Sequence, residues 1–193
     1  MSNVPAPTTA SVIQHYLHAK DRNHPVYMAR AFAADAVLKM TLRTPAIAFP
    51  PESHGLDAIT ETLVRTFGQT YENVFTFCLA HPGDNVVLDA YACDWLVGMT
   101  EKASNQVRVG CGRYDWEFQT EPHLARHLTI TIETMLNLPA DTAPAIFNWL
   151  TALPYPWTDP QRVVQAAPPI EALAPVMQWI RREHLGDPTG GTA

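Results

Sequence analysis

The chain has 193 residues, 47% of them apolar, which is enough for one sizeable hydrophobic core, and we expect one domain with an appendage. Its 13 basic residues are outnumbered by 19 acidic ones and form no run that could follow a phosphate backbone, so we expect no nucleic acid partner. We also expect no membrane association and a cytoplasmic location, because no segment has the roughly 20 apolar residues that span a bilayer and no leader pattern opens the chain.

Two helices are predicted near the start of the chain, after a mobile tail over residues 1–8. Thr9 or Ser11 can cap the first helix. Its apolar residues recur at spacings of three and four, and they are Val12, Ile13, Tyr16 and Leu17. Pro25 suits the first turn of the second helix, which we expect to end near Asp35.

The histidines and cysteines do not form a metal-binding pattern. His15 and His18 stand three residues apart on the first helix, but only Asp21, beyond its end, could join them. The three cysteines lie in apolar, strand-like segments without C-x-x-C spacing. We therefore predict no metal, no disulfide, and thiols that are buried and reduced.

The middle of the chain changes from helical to strand periodicity. Residues 36–42 alternate with a period of two and predict a strand, and a proline-bracketed segment follows it. A third helix is expected from Gly55 to Gly68. Four long strands then follow, over residues 72–80, 85–99, 106–119 and 124–138. Their short, turn-rich connections indicate an antiparallel meander.

The apolar residues of the third long strand change parity half-way along it. One set comprises Val107, Val109 and Cys111, and the other comprises Tyr114, Trp116 and Phe118. We expect a β-bulge at Gly110 or Gly112 to bring both sets to the buried face.

From Pro139 onward the composition shifts, because nine of the chain's 17 prolines lie in this last quarter. Helices are predicted over 143–153 and 175–185, and the terminal GDPTGGTA is expected to be disordered. Five large aromatic residues would be exposed if this segment were free in solution. They are Phe147, Trp149, Tyr155, Trp157 and Trp179. We therefore predict that residues 139–193 form a helical extension that packs on the core, either over a pocket or at an interface.

The order of these elements, with F-A-A-D-A at 32–36 and G-L-D-A-I at 55–59, resembles the nuclear transport factor two-like superfamily. That group includes the SnoaL-like polyketide cyclases, ketosteroid isomerase and scytalone dehydratase. The resemblance covers about residues 9–138, within a first domain over 1–138. It implies an α+β fold, in which a cone-shaped, curved antiparallel sheet wraps around three N-terminal helices. An apolar pocket would open at one end of the cone.

The resemblance to ketosteroid isomerase also implies site residues. V-I-Q-H-Y at 12–16 matches its first helix and puts its tyrosine on Tyr16. Y-D-W-E-F at 114–118 puts the position of its acid on Tyr114. The position of its base falls on Met40, whose thioether cannot take a proton from carbon. Two phenols that can donate hydrogen bonds to a carbonyl or enolate oxygen would remain.

Another residue would have to supply the base. Asp94 lies in an apolar strand and is our candidate, since burial favours the protonated form of a carboxyl group if it points inward. His54, Asp115 and His127 are alternatives. The remaining expected pocket residues are Met40, Trp95, Trp116, Phe118 and His54.

These residues lead to two hypotheses. The first is a SnoaL-like protein that binds a small, mostly apolar metabolite in the cone and isomerises, cyclises or dehydrates it by acid–base chemistry. We expect no cofactor, because the chain has no nucleophile elbow, phosphate loop or dinucleotide fingerprint.

The second hypothesis is a non-enzymatic dimeric module whose pocket is filled by its own side chains. A homodimer through the sheet is expected, since the last strand carries a polar face made of His127, Thr129, Thr131 and Glu133. A pocket of roughly 300 Å³ or more with converging polar groups would favour the first hypothesis, and a filled cone would favour the second.

Overall fold

The computed structural model describes residues 6–182, in which the first helix, α1, spans Thr9–Asp21. Thr8 caps it, rather than the expected Thr9 or Ser11. The Thr8 hydroxyl accepts a hydrogen bond from the Ser11 N–H, and the Ser11 hydroxyl oxygen accepts one from the Thr8 N–H. Residues 1–5 of the expected mobile tail, and the expected disordered end, lie outside the described residues.

The second predicted helix is shorter than expected. A 3-10 helix covers Pro25–Arg30, and strand β1 then runs over Phe32–Leu42. The predicted helix end near Asp35 was wrong, because F-A-A-D-A belongs to the strand. Phe32 pairs there with Ala125 of the last strand, so tertiary pairing overrides the helical preference of an alanine-rich segment.

A short strand and a long helix follow β1. Strand β2 covers Glu52–His54 and pairs antiparallel with β1. The helix is continuous over its three consecutive parts, which are α2 at Leu56–Thr60, a π-helical turn at Glu61–Thr66 and α3 at Phe67–Thr70. Gly55 precedes it with φ of 84°, a conformation that favours glycine. Gly68 lies inside the helix and does not end it.

The meander consists of four strands, which are β3 at Tyr71–Cys78, β4 at Ala90–Glu101, β5 at Val107–Gln119 and β6 at Leu124–Leu138. The six strands form one curved sheet in the order β2-β1-β6-β5-β4-β3. All neighbours are antiparallel except β1 and β6, which are parallel. The predicted α+β fold with a curved sheet around N-terminal helices is confirmed.

The two apolar sets of β5 lie on opposite faces of the sheet, so the prediction of a bulge at Gly110 or Gly112 that brings them to one face was wrong. β5 keeps its period of two, so the set at Tyr114 faces the helices and the set at Val107 faces the opposite side of the sheet. The register shifts lie in β6 instead, at Glu133 and at Arg126. Cys111 pairs with Thr134 and Gly112 pairs with Ile132, so the register skips Glu133.

The C-terminal extension, described here over residues 139–182, covers that second face. Its helices are α4 at Ala143–Ala152, α5 at Pro160–Ala166 and α6 at Ala174–Arg181. They build a second hydrophobic core on the outer face of the sheet. Its buried members include Phe77, Leu96, Val107, Val109, Trp149, Leu150, Val176 and Ile180. The sheet is therefore apolar on both faces over this region. None of the helices within residues 6–182 is long and apolar enough to cross a membrane.

Candidate functional site

The concave face of the sheet and the N-terminal helices enclose a cavity of about 40 Å³. Its wall is mostly apolar, and the apolar lining includes Met40, Ile47, Phe49, Leu63, Phe67, Trp95, Val97, Met99, Ile130, Ile132 and Met135. This volume is enough for only a few water molecules. It is well below the roughly 300 Å³ of an ordinary ligand pocket.

Two tyrosine hydroxyls meet in this cavity. Tyr16 comes from α1 and Tyr114 from β5, and their hydroxyl oxygens lie 3.5 Å apart. The side chains are 1% and 2% exposed, and their rings pack edge to face. Burial raises the pKa of both phenols, so both remain protonated at neutral pH. They can therefore act as hydrogen-bond donors.

Lys20, one helical turn after Tyr16, adds a charge to the same wall and was not among the predicted site residues. Its side chain is 7% exposed. The Nζ atom lies 2.7 Å from Oδ1 of Asp21 and donates to the Thr76 hydroxyl at 2.7 Å. The ammonium also lies 4.8 Å from the centre of the Phe67 ring. A lysine within the apolar stripe of α1 was the signal that could have identified it.

Behind Lys20, the carboxylate of Asp21 connects the cavity wall to the C-terminal extension. It accepts hydrogen bonds from the Thr76 N–H at 2.7 Å, from the Thr76 hydroxyl at 2.8 Å and from the Tyr155 hydroxyl at 3.0 Å. Its side chain is 2% exposed and does not line the cavity. Asp21 therefore acts as the counter-ion that makes a buried ammonium tolerable.

Asp94 lies on the other side of the sheet, which corrects its expected placement in the pocket. Its neighbours Cys93 and Trp95 face the helices, so the alternation of β4 turns Asp94 outward. Its side chain is 3% exposed and lies 3.6 Å from Nη1 of Arg113 and 3.3 Å from Nη2 of Arg182. The carboxylate is therefore buried against the extension, away from the two phenols.

The alternative bases also lie outside the cavity. The His54 side chain is 68% exposed on the short strand β2 and lies 3.1 Å from Glu52. Asp115 and His127 point to the outer face, where His127 lies 3.1 Å from Glu117. Within residues 6–182, no carboxylate and no imidazole lines the cavity.

The expected pocket wall is divided between cavity and core. Met40 and Trp95 line the cavity. Trp116 and Phe118 belong to the same inner core but do not line the cavity. The Trp116 ring contacts Tyr16 with centroids 5.4 Å apart, and Phe118 stacks on Trp116 at 6.0 Å. Trp116 therefore packs against the Tyr16 ring and Phe118 packs against Trp116, and neither residue forms part of the cavity wall.

The roof of the cavity comes from the loop between β1 and β2, through Ile47 and Phe49. Arg108 of β5 fixes this loop by donating from Nη1 to the Ala46 carbonyl at 2.9 Å. The same guanidinium forms an ion pair with Glu101 at 2.8 Å. Arg108 therefore holds in place the loop that carries these two cavity residues.

Nothing in the described part of the chain groups three His, Cys, Asp or Glu side chains as metal ligands. No protein-family model matches the sequence, and no curated protein is significantly similar to it. The architecture is nevertheless shared with solved structures.

A nuclear transport factor 2 (NTF2-like) superfamily protein from Salmonella enterica serovar Typhimurium LT2 superposes with a TM-score of 0.50 at 17% identity. The match covers 65% of this chain and 88% of that one. The chain has the nuclear transport factor two-like fold. LinA shares this fold with a TM-score of 0.52 at 12% identity, over 66% of this chain and 84% of LinA. A proposed isomerase from Rhodopseudomonas palustris gives 0.52 at 13% identity, over 63% and 86% of the two chains.

Proposed function

We propose that this chain is a SnoaL-like protein whose cone cavity binds a small, mostly apolar molecule through one oxygen atom. The observation that supports this is the buried Lys20 ammonium, paired with Asp21 behind it, in the same mostly apolar wall as two tyrosine hydroxyls. Removing two charges from water costs several kcal/mol per ion before their attraction is counted, and an apolar core does not need them. Buried charged groups beside a cavity occur at binding and catalytic sites as well as in structural ion pairs.

The polar groups of the cavity suit a carbonyl compound. The Tyr16 and Tyr114 hydroxyls can donate hydrogen bonds, and an ammonium has three N–H groups, of which Asp21 and Thr76 account for two. These donors would bind a carbonyl oxygen and would stabilise negative charge that develops on it as an enolate forms. Isomerisation next to a carbonyl group in ketosteroid isomerase uses such a step. Since the wall holds no carboxylate or imidazole within residues 6–182, the geometry favours binding over proton abstraction from carbon.

Binding requires the cavity to enlarge. Met40, Met99 and Met135 form part of its wall, and methionine side chains repack more easily than branched ones. Together with the roof residues Ile47 and Phe49, they are the side chains that we expect to move. The bound molecule would occupy the space that they leave.

Two probes of the same shape test this proposal. Cyclohexanone carries one carbonyl oxygen, and methylenecyclohexane replaces that oxygen with a CH₂ group. We expect Tyr16→Phe, and the double change Lys20→Met with Asp21→Asn that removes both charges of the pair together, to weaken cyclohexanone binding by about tenfold, the effect of one lost hydrogen bond, and to leave methylenecyclohexane binding unchanged. Protein NMR titration measures both affinities, with Tyr27→Phe as a control outside the cavity.

Two results would contradict the proposal. One is that neither probe shifts resonances of the cavity residues in the wild-type chain. The other is that cyclohexanone binds equally well to the wild type, to Tyr16→Phe and to the double variant Lys20→Met with Asp21→Asn.

The small cavity supports a second candidate, a non-enzymatic dimeric module whose cone is filled by its own side chains. The extension covers one part of the outer face, and the polar side chains His127, Thr129 and Thr131 lie on the part that stays partly exposed. A homodimer would use this polar part. Sedimentation velocity tests it: a dimer that Thr129→Arg dissociates supports the module, and a monomer at micromolar concentration contradicts it.

A further inference from the structure

Two imidazoles meet at the C-terminal end of α1, on its solvent side. Nε2 of His18 lies 3.2 Å from Nδ1 of His24, and the ring centroids are 5.2 Å apart. The contact is exposed. A hydrogen bond between two neutral imidazoles takes one N–H and one lone pair, and water competes for both. The same two nitrogens are suited to share a cation.

The backbone holds this pair together. Asn23 follows the helix with φ of 51°, in the left-handed region, and turns the chain back on itself. The His24 N–H then donates to the Ala19 carbonyl at 2.8 Å, which fixes His24 beside His18. Tyr27 packs against both rings, at 4.7 Å from His18 and 6.1 Å from His24. The imidazoles are therefore positioned before any ligand arrives.

We propose that His18 and His24 bind one divalent transition-metal ion, with Zn²⁺ as the best geometric match. With Zn–N distances of about 2.0–2.1 Å and a tetrahedral angle, two nitrogen ligands lie roughly 3.3 Å apart. The observed separation is 3.2 Å. Imidazole nitrogens favour zinc, copper and nickel, whereas magnesium and calcium require oxygen ligands.

The ion would be held by two protein ligands and by solvent. No third His, Cys, Asp or Glu of residues 6–182 completes the group. His15 lies one turn earlier on α1, but its ring stacks on Tyr27 at 6.0 Å. Such a site has open positions for exchangeable ligands. It is independent of the function proposed for the cavity, because the rings lie on the solvent side of the helix.

The surrounding charges partly oppose each other. Arg22 repels a cation at this position and Asp21 attracts one. Both charges act on His18 with opposite signs.

The test uses the full chain after treatment with EDTA and desalting. Isothermal titration with ZnCl₂ should show one ion per chain, and His18→Gln and His24→Gln should each weaken binding at least tenfold. Glutamine keeps the size and polarity of the side chain without the imidazole. His54→Gln removes an exposed histidine elsewhere and should bind zinc as the wild type does.

Copper provides an independent readout. In the Cu²⁺-loaded chain, electron paramagnetic resonance should show coupling to two imidazole nitrogens, and to one in each of the two variants. A wild-type chain that takes up no zinc at micromolar concentration would overturn the proposal. Wild-type zinc affinity in both His18→Gln and His24→Gln, with unchanged circular dichroism, would also overturn it.

Discussion

Donors from three residues converge on the carboxylate of Asp21, and together they link the helix α1, the strand β3 and the C-terminal extension. They are the Lys20 ammonium, the Thr76 N–H and hydroxyl, and the Tyr155 hydroxyl. The arrangement is satisfied only while the carboxylate is charged and present. Its removal would leave an ammonium that is 7% exposed without a counter-ion.

We expect Asp21→Asn to lower the free energy of unfolding by about 3–5 kcal/mol, the usual effect of breaking a buried ion pair from one side. Urea unfolding followed by circular dichroism measures it. Glu133→Gln is the matched control, because the Glu133 side chain is 29% exposed and its partner Arg43 is 63% exposed. That variant should lose less than about 1 kcal/mol. Equal losses in the two variants would contradict the role assigned to Asp21.

The two cavity phenols make stability depend on pH in the alkaline range. Burial raises the pKa of Tyr16 and of Tyr114 above the ordinary value of 10.0. Below about pH 10 their contribution to stability is fully present, and it is lost as the pH rises through the folded pKa, because only the unfolded chain ionises at first. Each phenol contributes a slope of about 1.4 kcal/mol per pH unit above pH 10.

Urea unfolding between about pH 9 and pH 11 measures this slope. We expect Tyr16→Phe to make the decline shallower by the share of one phenol. An identical decline in the wild type and in Tyr16→Phe would show that this phenol ionises as freely in the folded chain as in the unfolded one.

The sequence could predict that Tyr16 and Tyr114 lie close together. The resemblance to ketosteroid isomerase matches V-I-Q-H-Y on the first helix and Y-D-W-E-F on a late strand to segments whose residues face one pocket. It could not predict the position of Asp94. Asp94 alternates with Cys93 and Trp95 and therefore lies on the opposite face of the strand. Because both faces of this strand are buried, its sequence is apolar on both sides of Asp94 and does not show which face points to the cavity. Lys20 was missed because a lysine at a helix end usually lies in solvent.

Among the secondary-structure elements, the bounds of β3, β5 and β6 were predicted to within two residues, but β4 begins at Ala90, five residues later than expected, and the local irregularities were not predicted. The range 124–138 agrees with β6 at both ends. The bulge was expected in β5, whose apolar residues change parity, but the two register shifts lie in β6, at Glu133 and at Arg126. The parity change arises because the apolar layers on the two faces of β5 lie at different ends of the strand. The residue pattern of β5 alone does not show that the C-terminal extension covers its outer face.

Two strand glycines allow neighbouring groups to approach closely, and they differ in what a side chain would meet. A Cβ atom at Gly112 would overlap the Thr131 carbonyl oxygen and would lie 2.6 Å from Cζ2 of Trp95. A Cβ atom at Gly98 would overlap only Cδ1 of Leu150 in α4, the tip of a flexible side chain. The backbone of β6 cannot rotate away, whereas Leu150 can.

We therefore expect Gly112→Ala to destabilise the fold by about 3 kcal/mol and Gly98→Ala by about 1 kcal/mol or less. Thermal unfolding of the two variants side by side gives the comparison. The reverse order would mean that the sheet tolerates movement at the bulge better than the helix layer does.

In the molecule as a whole, the sheet is the middle of three layers. The N-terminal helices pack on its concave face and the C-terminal extension on its outer face. The sequence predicted the first layer through a family resemblance that ends at residue 138. For the second layer, the sequence predicted packing on the core but did not distinguish a lid over the pocket from part of an interface. Proline and aromatic content indicate that a segment packs against the core, but they do not indicate on which surface.

We expect a chain ending at residue 138 to aggregate. Its outer face would expose the apolar side chains Phe77, Leu96, Val107 and Val109, which are fully buried in the whole chain. A chain ending at Arg182 serves as the control and should stay soluble. Size-exclusion chromatography and ANS fluorescence distinguish the outcomes, and a compact, soluble 1–138 fragment would refute the need for the extension.

The layering has a consequence for local opening. Over residues 107–111, β5 has a bonded strand on each side, the inner core in front and the second core behind. Their amide hydrogens can exchange only when a covering layer separates and the hydrogen bonds to a neighbouring strand break. Their amide hydrogens should therefore exchange with deuterium last and report the opening of the entire molecule, while the edge strand β2 exchanges early.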